Sequence, residues 1–531
     1  MNTLNILFHL ALADFYERAR RYSFLLILAA VIYLGILANN GTWYLYVMGD
    51  LNLAASIYRG EFNSAWIGTM TVLVTNTVLG LFGFYLVSDC IERDIRTGVG
   101  QIIATTPVRR ATYLVGKWIS NFMVLFMLVL ILAAAAVITV LLKGEAALDL
   151  DALLMPFLIV GLPYMALTAA LAVVFETVPW LRGVLGNAIY FFLWLLLIIA
   201  SSLGGAALPF LKDPMGVSVF RASLVAGAKA AYPDDSIVGL IGLQAGPPGD
   251  KQFKVFDWLG LDWTLGVISE QVLWVALGLG LILLSVLWFA RFDPSREGLR
   301  RSRAKSEEVT EDASAELRKK LPRITLPSLS PLVSKLAQMN SFLGVLFAEL
   351  RLLFNGRRWW WWVIIIGLNI AILTNPLSVV KEYLLPAAWL WPLPLWSEMG
   401  NRERKNNTSQ MVFSSARPVV RQLPAAWLAG VLATGLMVIA GVVFFISNGD
   451  LPGLVGWVGA VIFVPSLALA LGVFSSGNRF FEVVYLIWWY VGPFQKSVGI
   501  DFTAGTPQVY LLAAAGLLFL SIYWRGRQVR V

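Results

Sequence analysis

The stretch ERDIRTGVGQIIATTPVRRATYLVGKWISNFMVLFMLVLILAAAAVITVLL (Glu92–Leu142) changes character partway along. Its first part mixes acids and bases and is broken by Pro107. Its second, from residue 114 onward, is a long and mainly apolar run. An apolar run longer than about 18 residues is long enough to cross a bilayer as a helix. Ten-residue segments of alternating polarity, the mark of a membrane barrel, are absent, and an open sheet could not satisfy its backbone in lipid. An all-α integral membrane protein is therefore expected. Composition agrees: of 531 residues 58% are hydrophobic and only 14% charged, too few charges to coat a soluble domain of this length.

The same pattern recurs along the chain. Six spans are read in the first half, at 22–38, 65–87, 114–142, 152–175, 185–203 and 267–290. Six more follow at 359–375, 382–397, 424–447, 453–474, 483–494 and 508–524. The eleventh is short and ends in VGPF, which suggests a broken or re-entrant helix. Most of the 41 Lys and Arg fall in segments on the side that holds both termini. By the positive-inside rule that side is cytoplasmic. The expected location is the cytoplasmic membrane, with membrane lipid as the surrounding partner. Residues 291–340, rich in mixed charge, Pro and Ser, read as a cytoplasmic linker between a first unit (1–290) and a second (341–531). A long outside loop, 204–266, is the one asymmetric addition, a candidate gate, docking surface or plain insertion. The opening MNTLNILFHLALADFYERARR reads as an amphipathic helix and lacks the layout of a cleavable signal. One cysteine, Cys90, and one histidine, His9, exclude an intrachain disulfide and argue against a Cys/His metal site, so no metal is expected. No nucleic-acid partner is expected either.

The two halves repeat. GLDWTLGVISEQV (260–272) pairs with GIDFTAGTPQV (499–509), and LSVLWFAR (284–291) with LSIYWRGR (520–527). Asp89, Arg93, Asp94 and Arg96 have counterparts Glu398, Arg402, Glu403 and Lys405 at one constant spacing. TPVRR (106–110) answers RPVVR (417–421). Each half opens with an acidic-basic helix, FYERARR or FAELRLLFNGRR. Two six-span units in the same orientation imply a pseudo-twofold axis along the membrane normal.

Charge asymmetry accounts for Arg109 and Arg110 in the opening stretch. It does not require Asp89, Glu92 and Asp94, nor the recurrence of an acid-base pattern at the same place in the second half. A mixed-charge element on each half suits a soluble partner with two equivalent faces. The stretch resembles the segment after the second span in type-2 ABC transporter permeases, through Glu92, Thr97, Gly98, Pro107, Arg109, Gly116 and Lys117. The six-span unit, the amphipathic first helix and the two-unit layout resemble that family too. The second half departs from the pattern, with Asn407 at the glycine position and no Gly-Lys after it.

The resemblance implies that 89–104 and 398–413 are cytoplasmic coupling helices seated on two ABC ATPase subunits, with one copy of this chain per transporter. It assigns coupling to Asp89, Glu92, Arg93, Asp94 and Arg96, and to Glu398, Arg402, Glu403, Arg404 and Lys405. Glu92, Arg93 and Asp94 would carry the first contact, and Arg402, Glu403 and Arg404 the second. Thr97, Gly98, Pro107, Arg109, Arg110, Gly116, Lys117, Pro418 and Arg421 would form the turns and span starts. ATP and Mg would belong to the partner ATPases. In this chain the single Gly-Lys dipeptide, Gly116-Lys117, is followed by Trp118 and cannot make a phosphate loop. The expectation is a transport subunit, an exporter without its own catalytic site or cofactor.

Asn76, Asn121, Asn187 and Asn369 lie in apolar runs and are expected to hydrogen-bond between helices. Glu176, Glu270, Glu382 and Glu482 fall near span ends, within reach of water. Deep ionisable residues, which ion-coupled carriers need, are nearly absent. That favours an amphiphilic, lipid-like, peptide or drug-like cargo. The run RRWWWW (357–362) reads as interface anchors. A stand-alone carrier or scramblase, and a non-transport scaffold of a membrane complex, are the alternatives. A copurifying ATPase separates the first reading from both.

Overall fold

A computed structural model describes residues 3–20, 28–35, 43–48, 57–203, 213–235, 237, 239, 241–245, 253–289, 292, 341–355, 357, 359–406, 408–414, 418–475, 477–496, 499–503 and 507–530. Among these, eight helices are long and apolar enough to cross a membrane. The chain is a predominantly helical, multi-pass membrane protein. By contacts it divides into two compact units, Met1–Arg182 with Ile189–Glu307, and Gly183–Ala188 with Glu308–Val531.

The first unit runs through α1 (Thr3–Ala19), α2 (Ser64–Val87), α3 (Cys90–Thr97), α4 (Val99–Thr105), α5 (Arg110–Lys143) and α6 (Leu150–Thr177). It continues with α7 (Val184–Leu203) from Ile189 onward, α8 (Val217–Ala231) and α9 (Leu265–Ser285). Side-chain caps start the long helices: Asn63 accepts from the Trp66 N–H at the head of α2, and Asp149 from Asp151 and Ala152 at the head of α6. Within α6, Pro156 brings no N–H, and the next residues, Phe157–Gly161, widen into a π-turn. Of the expected first span, residues 28–35 are described and helical.

The unit also holds a four-stranded sheet, which an all-α reading misses. Strands β1 (Trp43–Met48), β2 (Ile57–Gly60), β3 (Ile241–Ala245) and β4 (Phe253–Phe256) lie in the order β3-β1-β2-β4. β1 is antiparallel to β2 and β3, with Leu45 opposite Leu243, and β2 is parallel to β4, with Tyr58 opposite Lys254. The 204–266 loop thus supplies α8 and two strands, with 204–212, 236, 238, 240 and 246–252 outside the described residues.

The second unit comprises α10 (Ser341–Phe354), α11 (Trp359–Thr374), α12 (Arg402–Lys405), α13 (Ser409–Phe413), α14 (Pro418–Met437) and α15 (Ala440–Ser447). α16 (Leu451–Ser475), α17 (Arg479–Trp489) and α18 (Pro507–Arg530) complete it. The region expected as one span at 382–397 is instead a π-turn, Val380–Leu384, and two short helices, Leu385–Leu390 and Leu393–Trp396. Pro386, Pro392 and Pro394 each withhold a backbone donor there. The expected 424–447 span is divided into α14 and α15. The eleventh span ends, at Pro493, in the π-turn Tyr490–Phe494. Apart from Phe292, the linker 291–340 lies outside the described residues.

Intramembrane polar groups mostly join elements. Asn76 Nδ2 donates to the Met215 carbonyl at 3.0 Å. Asn369 ties the α14–α15 break, donating to the Met437 carbonyl and accepting from the Ala440 N–H. Of the four glutamates expected to reach water, Glu270 and Glu382 are exposed, but Glu176 and Glu482 are buried.

Candidate functional site

The charged segment between α2 and α5 folds into two short helices at a sharp corner. α2 ends at Val87, and Asp89 then takes a left-handed conformation, φ 89°. For a residue with a Cβ this costs about 1–2 kcal/mol. The gain lies next door. Glu176, on α6, points its carboxylate at the start of α3 and accepts from four successive backbone N–H groups. Those of Cys90, Ile91 and Glu92 lie at 2.9, 2.6 and 3.4 Å, and that of Asp89 completes the set. The first N–H groups of a helix lack internal partners and carry partial positive charge, so a carboxylate there is doubly favourable. α3 stops at Gly98, whose φ of +78° suits a residue without a side chain. α4 follows, and the chain passes through extended residues Thr106 and Arg109 into the head of α5.

Helical spacing sorts the side chains of α3. Cys90, Ile91, Arg93 and Asp94 face inward, while Glu92, Ile95 and Thr97 face out. Cys90 and Ile91 join an apolar core with Tyr113, Leu114, Ala170 and Phe289. Arg93 and Asp94, each 4% exposed, enter a buried network of charge. Its centre is Asp14 on α1. One carboxylate oxygen accepts from Arg93 and from Lys117 Nζ at 2.9 Å, the other from Ser120 Oγ at 2.7 Å, and Arg18 pairs with it at 3.2 Å. The Lys117 ammonium also reaches Asp94 at 2.8 Å, and the Tyr113 hydroxyl donates to Asp94 at 2.7 Å. Burial works against a charged Asp14, but Lys117, Arg18 and Arg93 outweigh it and hold its pKa down at about 2. Gly116 allows the close approach of α1, since a Cβ there would lie 2.4 Å from Leu10 Cδ2. One ammonium thus ties α1, α3 and α5 together.

A related network lies in the second unit. Glu349 on α10 pairs with Arg402 at 3.2 Å. Glu403 accepts from Gln422 Nε2 at 2.6 Å and from Arg525 at 3.3 Å. Arg525 also donates to the carbonyl of Gly400, which turns the chain with φ +79°. Glu398 pairs with Arg357 at 3.6 Å. Burial raises the Glu349 carboxyl above its ordinary value, with Arg402 only partly opposing it. The Gln422–Glu403 and Tyr113–Asp94 bonds both span 19 positions. At the spacing of Asp94 and Glu403, Ala426 stands where Lys117 would, and in the pairing of LSVLWFAR with LSIYWRGR, Arg525 stands where Phe289 stacks on Tyr113.

These positions sort the residues expected to make the outward contact. Of Glu92, Arg93 and Asp94, only Glu92 exposes its side chain; the other two hold the corner from beneath. Arg402 and Glu403 are likewise half-buried in ion pairs, while Arg404 and Lys405 are exposed. The helices expected over 89–104 and 398–413 are each broken, at Gly98 and after Lys405, and Asn407 lies outside the described residues. Asp89 turns the corner, Pro107, Arg109 and Arg421 are exposed, and Arg110 and Pro418 begin α5 and α14. Arg96 lies on α3. Lys117, expected to mark the start of a span, is the hub of the network. Sequence reading missed Asp14, Tyr113 and Glu176, with Glu349, Gln422 and Arg525. The equal 19-residue spacings were the available signal for two of them. Compared with known protein families, curated proteins and solved structures, the chain matches none.

Proposed function

We propose that this chain is the membrane subunit of an exporter powered by separate ATPase chains, as its resemblance to type-2 ABC permeases implies. In this reading about twelve spans form two pseudo-symmetric bundles in the cytoplasmic membrane, with both termini and the 291–340 linker cytoplasmic. One copy binds two ATPase subunits, which hold ATP and Mg. The cargo is amphiphilic. The observation that carries the reading is the α3–α4 element. Its outer face presents Glu92 beside an apolar ridge of Ile95, Val99 and Ile102, which are 48, 42 and 66% exposed. Its inner face is fixed by Arg93, Asp94 and the Glu176 cap. An apolar ridge with one acid, on a helix pair that cannot rock independently of α1, α5 and α6, suits a soluble partner that must push on the spans. Arg93 and Asp94 then transmit the push, and contact falls to Glu92 and the ridge.

The test is capture of the partner ATPase by the purified chain, with ATP turnover and transport in liposomes. Ile102→Asp with Glu92→Lys is expected to weaken capture by tenfold or more, about 1.4 kcal/mol or beyond, while membrane insertion stays intact. Capture and coupling equal to the parent would reduce the element to a charged loop.

A further inference from the structure

We propose that the turn Asp213–Gly216 of the first unit, together with Asn76 and Gln271, forms a binding site for a single sodium ion. The turn lies within 204–266, the loop read from sequence as a gate, docking surface or plain insertion, and all four of its residues are buried. The Gly216 N–H donates to the Asp213 carbonyl at 3.4 Å, and a Cβ at Gly216, φ +80°, would overlap Val160 in the π-turn of α6. That π-turn packs on both α2 and α9. Each of these helices sends an amide to the turn. Asn76 Nδ2 donates to the Met215 carbonyl at 3.0 Å, and Gln271 Nε2 to the Asp213 carbonyl at 3.3 Å. The Asn76 bond sets the turn about 18 Å along α2 from its first residue. α2 is of membrane-crossing length, so this is deep within a span.

Donors and acceptors do not balance at this turn. One oxygen of Asp213, Oδ2, accepts from the Ser218 and Val219 N–H groups at 2.8 and 3.0 Å and from Ser218 Oγ at 2.6 Å. The other, Oδ1, has no hydrogen-bond partner, and neither have Asn76 Oδ1 and Gln271 Oε1. The three residues are only 2, 1 and 1% exposed. Both amides turn their nitrogen to a carbonyl, so the oxygen end of each is fixed. The Ser201 hydroxyl stands beside the Asp213 carboxylate and accepts from the Met215 N–H at 3.3 Å. Arg221 on α8 is engaged by the Ser202 carbonyl at 2.8 Å. A buried carboxylate without a cation is costly. A proton on Oδ1 would be one donor, enough for one amide oxygen and not the other. A water has two donors and leaves the charge in place. A hard cation can take all three oxygens and neutralise the carboxylate. One acid balances a single charge, whereas calcium sites gather several. Among the described residues, no group of three acids, His or Cys is poised for a metal. Irregular backbone inside a helix bundle is where membrane proteins hold sodium. The site uses none of the α3–α4 residues, so it is independent of the exporter reading.

The experiment measures binding of radioactive sodium to the full chain in detergent, by scintillation proximity. It also compares melting temperature in sodium chloride and in choline chloride at equal ionic strength. The parent should bind a single sodium, displaced by unlabelled sodium chloride and not by choline, and should melt higher in sodium. Asp213→Asn keeps the oxygen that caps α8 and puts an amide N–H donor beside the two bare amide oxygens. It should weaken sodium binding by about tenfold or more and melt alike in both salts. In choline it should melt no lower than the parent, which separates lost binding from lost folding. Gln271→Met removes one ligand, leaves Asp213 in place and should weaken binding by about tenfold. Asp262→Asn, at an exposed acid of the same loop, should bind like the parent. The proposal is overturned if the parent binds no sodium or melts alike in the two salts, or if Asp213→Asn and Gln271→Met both bind like the parent. A parent stabilised in choline by acid alone, with no sodium bound, would assign the turn to a proton and overturn it as well.

Discussion

Asp14 and Glu349 occupy the first helix of their respective units, and they are neutralised differently. Asp14 meets Arg18, Arg93 and Lys117, while Glu349 meets Arg402. The second acid of each network follows the same division. Asp94 takes its cation from α5, through Lys117, and Glu403 takes its cation from α18, through Arg525. Position 426 is alanine, so α14, the counterpart of α5, gives the second network the amide of Gln422 in place of a cation. The repeat keeps the acid on the short helix and changes the helix that answers it. The first unit fastens its corner to α1, α5 and α6, and the second fastens its own to α10, α14 and α18. The short helices are thus tied by charge to α5 in the first unit and to α18 in the second, with α14 joined through an amide.

The most damaging way to probe this contrast is Lys117→Met. It leaves Asp14 and Asp94 buried with one cation fewer, and unfolding of the detergent-purified chain should show a loss of about 3–5 kcal/mol. A loss below about 1 kcal/mol would mean the ammonium is not the hub. Next is Arg525→Phe, which installs the residue of the first unit and strands Glu403. The expected cost is about 2–3 kcal/mol. Adding Ala426→Lys moves the cation back to the earlier helix and should recover at least about 1 kcal/mol in a double-mutant cycle. No recovery would show that the two sources are not interchangeable.

Acid should then separate the two carboxylates by sign. Asp14 titrates near 2 in the fold against an ordinary 3.8. Its contribution, about 2 kcal/mol, is complete above pH 4 or so and drains away as pH falls through 2. Glu349 is shifted upward from 4.5, so its ionisation weighs against the fold as pH rises past that value. Stability curves against pH should lose their acid limb in Asp14→Asn and gain at neutral pH in Glu349→Gln. Matching curves would erase the distinction. The smallest effect is expected from Gly98→Ala, about 1 kcal/mol for a φ of +78°, read as a drop in melting temperature.

The long spans were legible because apolar length alone marks them, as at 114–142 and 453–474. The region 382–397 was not, since its composition is apolar but three prolines divide it into pieces. The sheet was hidden for another reason: WYLYVM at 43–48 finds its partner IGLQA nearly 200 residues later, and no local pattern encodes such a pairing. The candidate site was half legible. The acids and bases of α3 and α12 were found by their repeat, but the direction they face was not. Burial of Arg93 and Asp94 depends on α1 and α5 arriving from 79 and 19 positions away. Lys117 lay at the edge of an apolar run, where a span start and a buried hub look alike in sequence.

The order in which the ribosome delivers these groups gives the Asp14 network a further meaning. Lys117 follows Asp14 by 103 residues, a delay of roughly 5–20 s at ordinary translation rates. Glu176 follows Asp89 by another 87. Through that interval the nascent α1 carries an acid still missing its lysine, and α3 has a bare amino end. The network around Asp14 can be completed only after α5 is made, and the cap of α3 only after α6 is made. Charge placement thus sets an order: α1 is made well before the lysine that completes its network.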